Sequence, residues 1–199
     1  MQTNSLHSRI ATLRKWLGAD PVTEALYLPE STLTAASKAR GVPVYQLDGV
    51  LCDADLFKRL RTRGQARGSD GIADLVSALR LVTGKPFDQL RSGGYGWLAE
   101  NPVDHYLTAA IVDVAHIVAT HALTEGEPGL AAWAAERAIT AAPSEDKPRL
   151  DLARAQSVLG HVDEAEAYVA REIFNRSDDD SAPPEPSPRT IQILGLGTR

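Results

Sequence analysis

Residues 118–173 read VATHALTEGEPGLAAWAAERAITAAPSEDKPRLDLARAQSVLGHVDEAEAYVAREI, and the fold turns on the fact that this stretch repeats. A shift of 34 residues superposes Val118 on Leu152, Ala119 on Ala153, Gly126 on Gly160, Ala131 on Ala165, Ala135 on Val169 and Ile139 on Ile173. Apolar residues at helical spacing flank each glycine, so each unit is expected to be two helices joined at a glycine turn. Alanines at matched positions let the two helices approach closely. Such a pair buries its apolar face only by stacking on a neighbour, and two pairs alone are marginal. The helices before Val118 are therefore expected to complete the stack.

A helix pair recurring every 34 residues has the tetratricopeptide (TPR) period. Towards the N-terminus, Asn101, Pro102 and Asp104 combine a cap, a first-turn proline and an acid near the positive helix end, and so announce a long helix through residue 123. Leu56, Phe57 and Leu60 predict a short helix ending near Gly64. Ile72, Leu75, Val76, Leu79 and Val82 predict another, capped by Ser69 and stopped at Gly84. Between them and the long helix, residues 85–100 read as an irregular link anchored by Tyr95 and Trp97, with Trp133 packing between the repeats. After residue 174 the composition changes to an acidic run and four prolines, expected to be extended or mobile. Ile191, Ile193, Leu194 and Leu196 then carry enough apolar character to dock on the body or on a partner.

At the other end, Leu6, Ile10, Leu13 and Leu17 form one helical stripe, stopped by Gly18. Residues 25–30 (ALYLPE) and 42–53 (VPVYQLDGVLCD) have strand character and flank a polar stretch at 31–41, which predicts a β-hairpin with a mobile tip. The expected organisation is thus a small α/β unit at 1–52, a helical-repeat domain at 53–174 and a Pro/acidic tail at 175–199.

Composition sets outer bounds. With 199 residues and 43% apolar content, the chain can bury one core and a small satellite. No run approaches 18 uninterrupted apolar residues and MQTNSLHSRI lacks a secretory centre, so a soluble cytoplasmic chain without membrane contact is expected. Cys52 stands alone and is expected in the core. Residues 1–68 carry ten Lys/Arg against six Asp/Glu, and 69–199 carry eleven against twenty, so only the N-terminal end suits a polyanion. His105, His116 and His121 are spaced by eleven and five residues, which does not gather them on one helix face as metal ligands. Asp113 and His116 make an ordinary i,i+3 pair with no nucleophile beside it, and Gly93, Gly94 and Gly96 lack the Lys-Ser/Thr of a phosphate loop. These readings predict no enzyme, no metal and no cofactor.

The succession of LRKWLG (13–18), YLP (27–29), YQLDGV (45–50), DADLFKRL (53–60) and LRLVTGKPF (79–87) resembles the Streptomyces antibiotic regulatory proteins over nearly the whole chain. In that family an OmpR-type winged helix feeds a bacterial transcriptional activator domain of TPR-like helices. The resemblance implies a mainly α fold: a TPR-like helical-repeat domain with a small, partial winged-helix unit (helix plus β-hairpin). It is partial because only four residues precede Ser5, leaving no room for the sheet and two helices that support a recognition helix. It also implies that Arg9, Thr12, Arg14 and Lys15 face duplex DNA from the recognition helix, with Lys38 and Arg40 of the wing near a flanking groove. The repeats would take a protein partner or a second copy. A second resemblance, carried by NRSDDDSAPPEPSPRTIQIL (175–194), is to repeat domains at the ends of actinobacterial envelope-associated proteins with LysM modules. It implies a protein-binding scaffold without DNA.

Overall fold

The computed structural model describes residues 3–90 and 96–174. Over these residues the chain is mainly helical and forms no strand. Its contacts divide between Met1–Cys52 and the remainder. The tail 175–199, with its expected docking segment, and the glycines 93 and 94 with Tyr95 lie outside the described residues.

In the N-terminal unit, α1 (Thr3–Leu17) ends where predicted, at Gly18 in the left-handed region (φ 73°), whose N–H donates to the Arg14 carbonyl. The expected hairpin does not form. Residues Ser31 and Tyr27 accept backbone hydrogen bonds from Val44 and Asp48 in an antiparallel register, and Ala19 bridges Leu26, but no ladder is built. The physical reason is Pro29, which occupies the register position between those two bonds and has no N–H to give. The polar stretch is no loose tip either. It folds into α2 (Ala35–Arg40), whose cap Thr34 accepts from the Ser37 N–H and donates to the Val44 carbonyl. Leu28, Thr34 and Ser37 form the buried centre; Trp16, Val22 and Leu33 are exposed, and so is Cys52, contrary to expectation.

The second unit begins with α3 (Asp53–Ala66), a 3₁₀ turn (Gly68–Gly71) and α4 (Ile72–Arg80). Gly64 does not end α3. It lies where α3 crosses the turn, and a Cβ on Gly71 would sit 1.9 Å from the Gly64 carbonyl oxygen. Nor does Ser69 cap α4, which is entered from Gly71 without a side-chain cap. After α5 (Trp97–Glu100), α6 (Val103–Thr124) starts as predicted, although through the Asn101 backbone and not its side chain. Then come α7 (Pro128–Ala141), α8 (Asp146–Val158) and α9 (Val162–Val169), which runs on into a π-helical turn (Ala170–Phe174).

The sequence period is kept in three dimensions. Moving 34 residues carries the end of α6 onto the end of α8 and the start of α7 onto the start of α9. Both turns close with the same bonds: Glu125 N–H to His121, Gly126 to Leu123 and Glu127 to Ala122, then Leu159 to Ala155, Gly160 to Ser157 and His161 to Gln156. That is the glycine-terminated Schellman pattern, and both glycines have positive φ (77° and 95°). The matched residues Val118, Leu152, Ala119, Ala153, Ala131, Ala165, Ala135 and Val169 are all buried.

Helix α6 packs on α7 and α8, α7 on α8, and α8 on α9, while α4 packs on α6 and α7. One core joins Phe57, Leu75 and Leu79 to Val114, Val118 and the alanines of α7, with Trp133 half-buried against it. Each large side chain there contributes about 1.5–3 kcal/mol of burial. Helix α6 is long and apolar enough to cross a membrane by length and composition, and half of that window is buried against its neighbours.

Among the matched positions at which the second pair differs from the first are four where a sealed alanine gives way to a larger residue with a polar group. Ala115, Ala122, Ala134 and Ala138, all sealed, become Arg149, Gln156, Tyr168 and Glu172. Arg149 is almost fully buried and bonds the Glu172 carboxylate (2.7 Å) and the Pro143 carbonyl, tying the start of α8 to the π turn.

Candidate functional site

Three arrangements carry exposed or oriented polar chemistry. The first is α1. Helical spacing puts Arg9, Thr12 and Lys15 on one outward arc with Trp16, which is 79% exposed. Arg14 stands apart: its Nε and Nη2 donate to the Leu28 and Pro29 carbonyls (2.7 and 3.2 Å) and its Nη1 pairs with Glu30 (2.9 Å). It clamps the helix to the following segment, with all three of its nitrogens engaged within the unit. The Thr12 hydroxyl donates to the Ser8 carbonyl, and Lys38 and Arg40 are exposed on α2.

The second is the face made by the first helix of each pair, α3, α6 and α8. Asp113 of α6 lies 3.8 Å from Arg61 of α3 and 3.8 Å from Lys147 of α8, so one carboxylate spans three helices. These distances mark loose, solvated ion pairs, which orient more than they stabilise. Tyr106 and Ile117 lie exposed on α6.

The third is His116. Its expected neighbour was Asp113, one turn away; its partner is Asp151 on α8, whose two oxygens lie 3.0 and 2.8 Å from Nδ1. No spacing rule finds this pair, because Asp151 occupies the position matched to Ile117, not to any acid. Asp151 is largely buried, and that burial outweighs its bond to His116 and the charges of Lys147 and Arg154. Its carboxyl is therefore held above the ordinary aspartate value. His116 also lines a cleft with His121, Thr120 and Ile117 on one side and Gln65, Ser69, Ile72 and Leu75 on the other. Among the described residues, no group of three or more His, Cys, Asp or Glu is placed to hold a metal.

Neither family models, nor curated proteins, nor solved structures show a match to this chain. The class defined by the fold is thus a mainly α chain in which, among the described residues, α6–α7 and α8–α9 share boundaries at a 34-residue spacing.

Proposed function

We propose that this chain is a non-enzymatic, cytoplasmic interaction module in which TPR-like helix pairs at 53–174 receive a protein partner or a second copy. The observation that carries this reading is the 34-residue register, held at once in helix ends, turn bonds and burial. It supports a stack whose first helices align their exposed side chains, with Asp113 shared across three of them. Extended faces of this kind suit peptide or protein segments. Affinity capture with wild-type protein and with a charge-reversed face (Asp113→Arg with Arg154→Glu) tests it. Partners, or self-association by sedimentation, are lost on the reversed face and kept by Glu136→Arg on α7. Equal recovery from all three proteins overturns it.

A regulator-like second activity, duplex DNA binding, is favoured by the shared outward arc of Arg9, Thr12 and Lys15, with Lys38 and Arg40 exposed on the same unit. Without Arg14 and without a strand-built wing, this contact is of the phosphate kind. It predicts binding that weakens steeply with salt and a salt slope reduced by about one in Arg9→Ala and again in Lys15→Ala. Absence of duplex affinity at low salt ends this reading. What then remains is the scaffold alone, as in the repeat ends of larger LysM-type envelope-associated proteins.

A further inference from the structure

The cleft between α3–α4 and α6 has features that binding along the first-helix face leaves unused. It holds about 620 Å3, within the range of small-ligand sites. Its apolar lining is Ile72 and Ile117 with sealed Leu75 behind them, and Gly68, with open space around its Cβ position, leaves one end without side-chain bulk. Its polar lining is Gln65, Ser69, Thr120, His116 and His121, with neither a carboxylate nor a lysine or arginine among them.

The chemistry turns on His116. Nδ1 faces both oxygens of Asp151, and with that carboxyl ionised it is Nδ1 that carries the hydrogen and donates it. The ring atom left for a ligand is Nε2, held in place by a partner on another helix. This is the arrangement by which a carboxylate fixes the tautomer and orientation of an imidazole.

We propose that this cleft binds a small carboxylic acid with an apolar body, its head on His116 Nε2 and its body on Ile72 and Ile117. The head group follows from where the proton sits. A neutral ring accepts at Nε2 from a carboxylic O–H, and a charged ring donates from Nε2 to a carboxylate. These are one complex with the proton on either side. An alcohol lacks the charge to match the charged ring, and an alkylammonium is repelled by it. Asp151 holds His116 from α8 and feels the charges of Lys147 and Arg154; on α6, His121 shares the cleft lining and Asp113, one turn before His116, pairs with Lys147 and with Arg61 of α3. Asp151 already holds the Nδ1 side, so a second anion is matched at Nε2 only once the ring is charged.

The test is titration of the full chain with octanoate, 1-octanol and octylamine, followed by calorimetry and by the His116 ring resonances. Octanoate is expected to bind several-fold tighter at pH 6 than at pH 8, and octylamine to show the reverse. His116→Gln weakens octanoate about tenfold, the loss of one charged hydrogen bond. Thr120→Phe, which plugs the exposed rim and leaves the imidazole pair intact, abolishes binding. His161→Gln, on the turn between α8 and α9, changes nothing. Equal affinity for octanoate and octanol at pH 6 overturns the proposal, as does unchanged octanoate binding in Thr120→Phe. Because the face reversal at Asp113 and Arg154 leaves the cleft lining intact, failure here is distinct from failure of the partner reading.

Discussion

At Gly71 an added methyl meets the backbone of Gly64 at 1.9 Å, and at Gly64 it meets Leu75 at 2.6 Å. The first neighbour is main chain and cannot swing aside, so Gly71→Ala must push α3 from the 3₁₀ turn and is expected to cost at least 1–3 kcal/mol, roughly the scale of overpacking. Denaturant unfolding checks it. Gly68→Ser, with open space around its Cβ but a φ of 58°, should cost about 1 kcal/mol. Asp151 gives a prediction of opposite character. Its carboxyl is raised by burial, so the folded state holds the proton more tightly than the unfolded chain does. That contribution is present below the ordinary aspartate value and is lost as pH rises towards and past the folded one. Stability measured across that window should therefore shift in favour of Asp151→Asn relative to wild type as pH rises; a shift favouring wild type sinks the assignment. Little of this was readable beforehand. Gly64 looked like a helix end because glycine signals both termination and close approach, and only the crossing tells them apart. Arg14 sat among basic residues of one helix, and nothing in its spacing announced the carbonyls of Leu28 and Pro29.

The two turns at Gly126 and Gly160 are the same object made twice. Each glycine occupies a left-handed position that a side chain strains, so Gly126→Ala and Gly160→Ala are each expected to lose about 1 kcal/mol, and Gly160→Asn less than Gly160→Ala. Thermal melts of the three variants order them; equal stability to wild type would remove the left-handed requirement. Helix ends were legible here because a glycine, a proline at the start of α7 and a shared period all point to one boundary. The N-terminal hairpin was misjudged for the opposite reason. Tyr27, Leu28, Val44 and Tyr45 have strand character, but Pro29 interrupts the would-be ladder and Thr34 offers the polar stretch a helix cap. Local hydrogen bonding won over residue preference.

On the scale of the molecule, the chain is mainly α as its periodicity predicted, and the helix boundaries of α6–α7 recur in α8–α9 at 34 residues, with α3 and α4 ahead of them. The grouping of these charges did not follow from sequence: Arg61, Asp113 and Lys147 are more than 30 residues apart in turn and meet only in the folded unit. The α8–α9 pair also carries Arg149, Gln156, Tyr168 and Glu172 where its predecessor has alanine. Restoring alanine at Gln156 and Tyr168 is expected to raise concentration-dependent association above that of wild type, read by sedimentation; a variant no more prone to associate would discount the substitution pattern. A stack of near-identical layers otherwise has no physical instruction to stop, since every new layer is offered the surface its predecessor was offered. Four larger residues with polar groups break that likeness in the α8–α9 pair, so the surface it offers differs in chemistry from the one its predecessor offers.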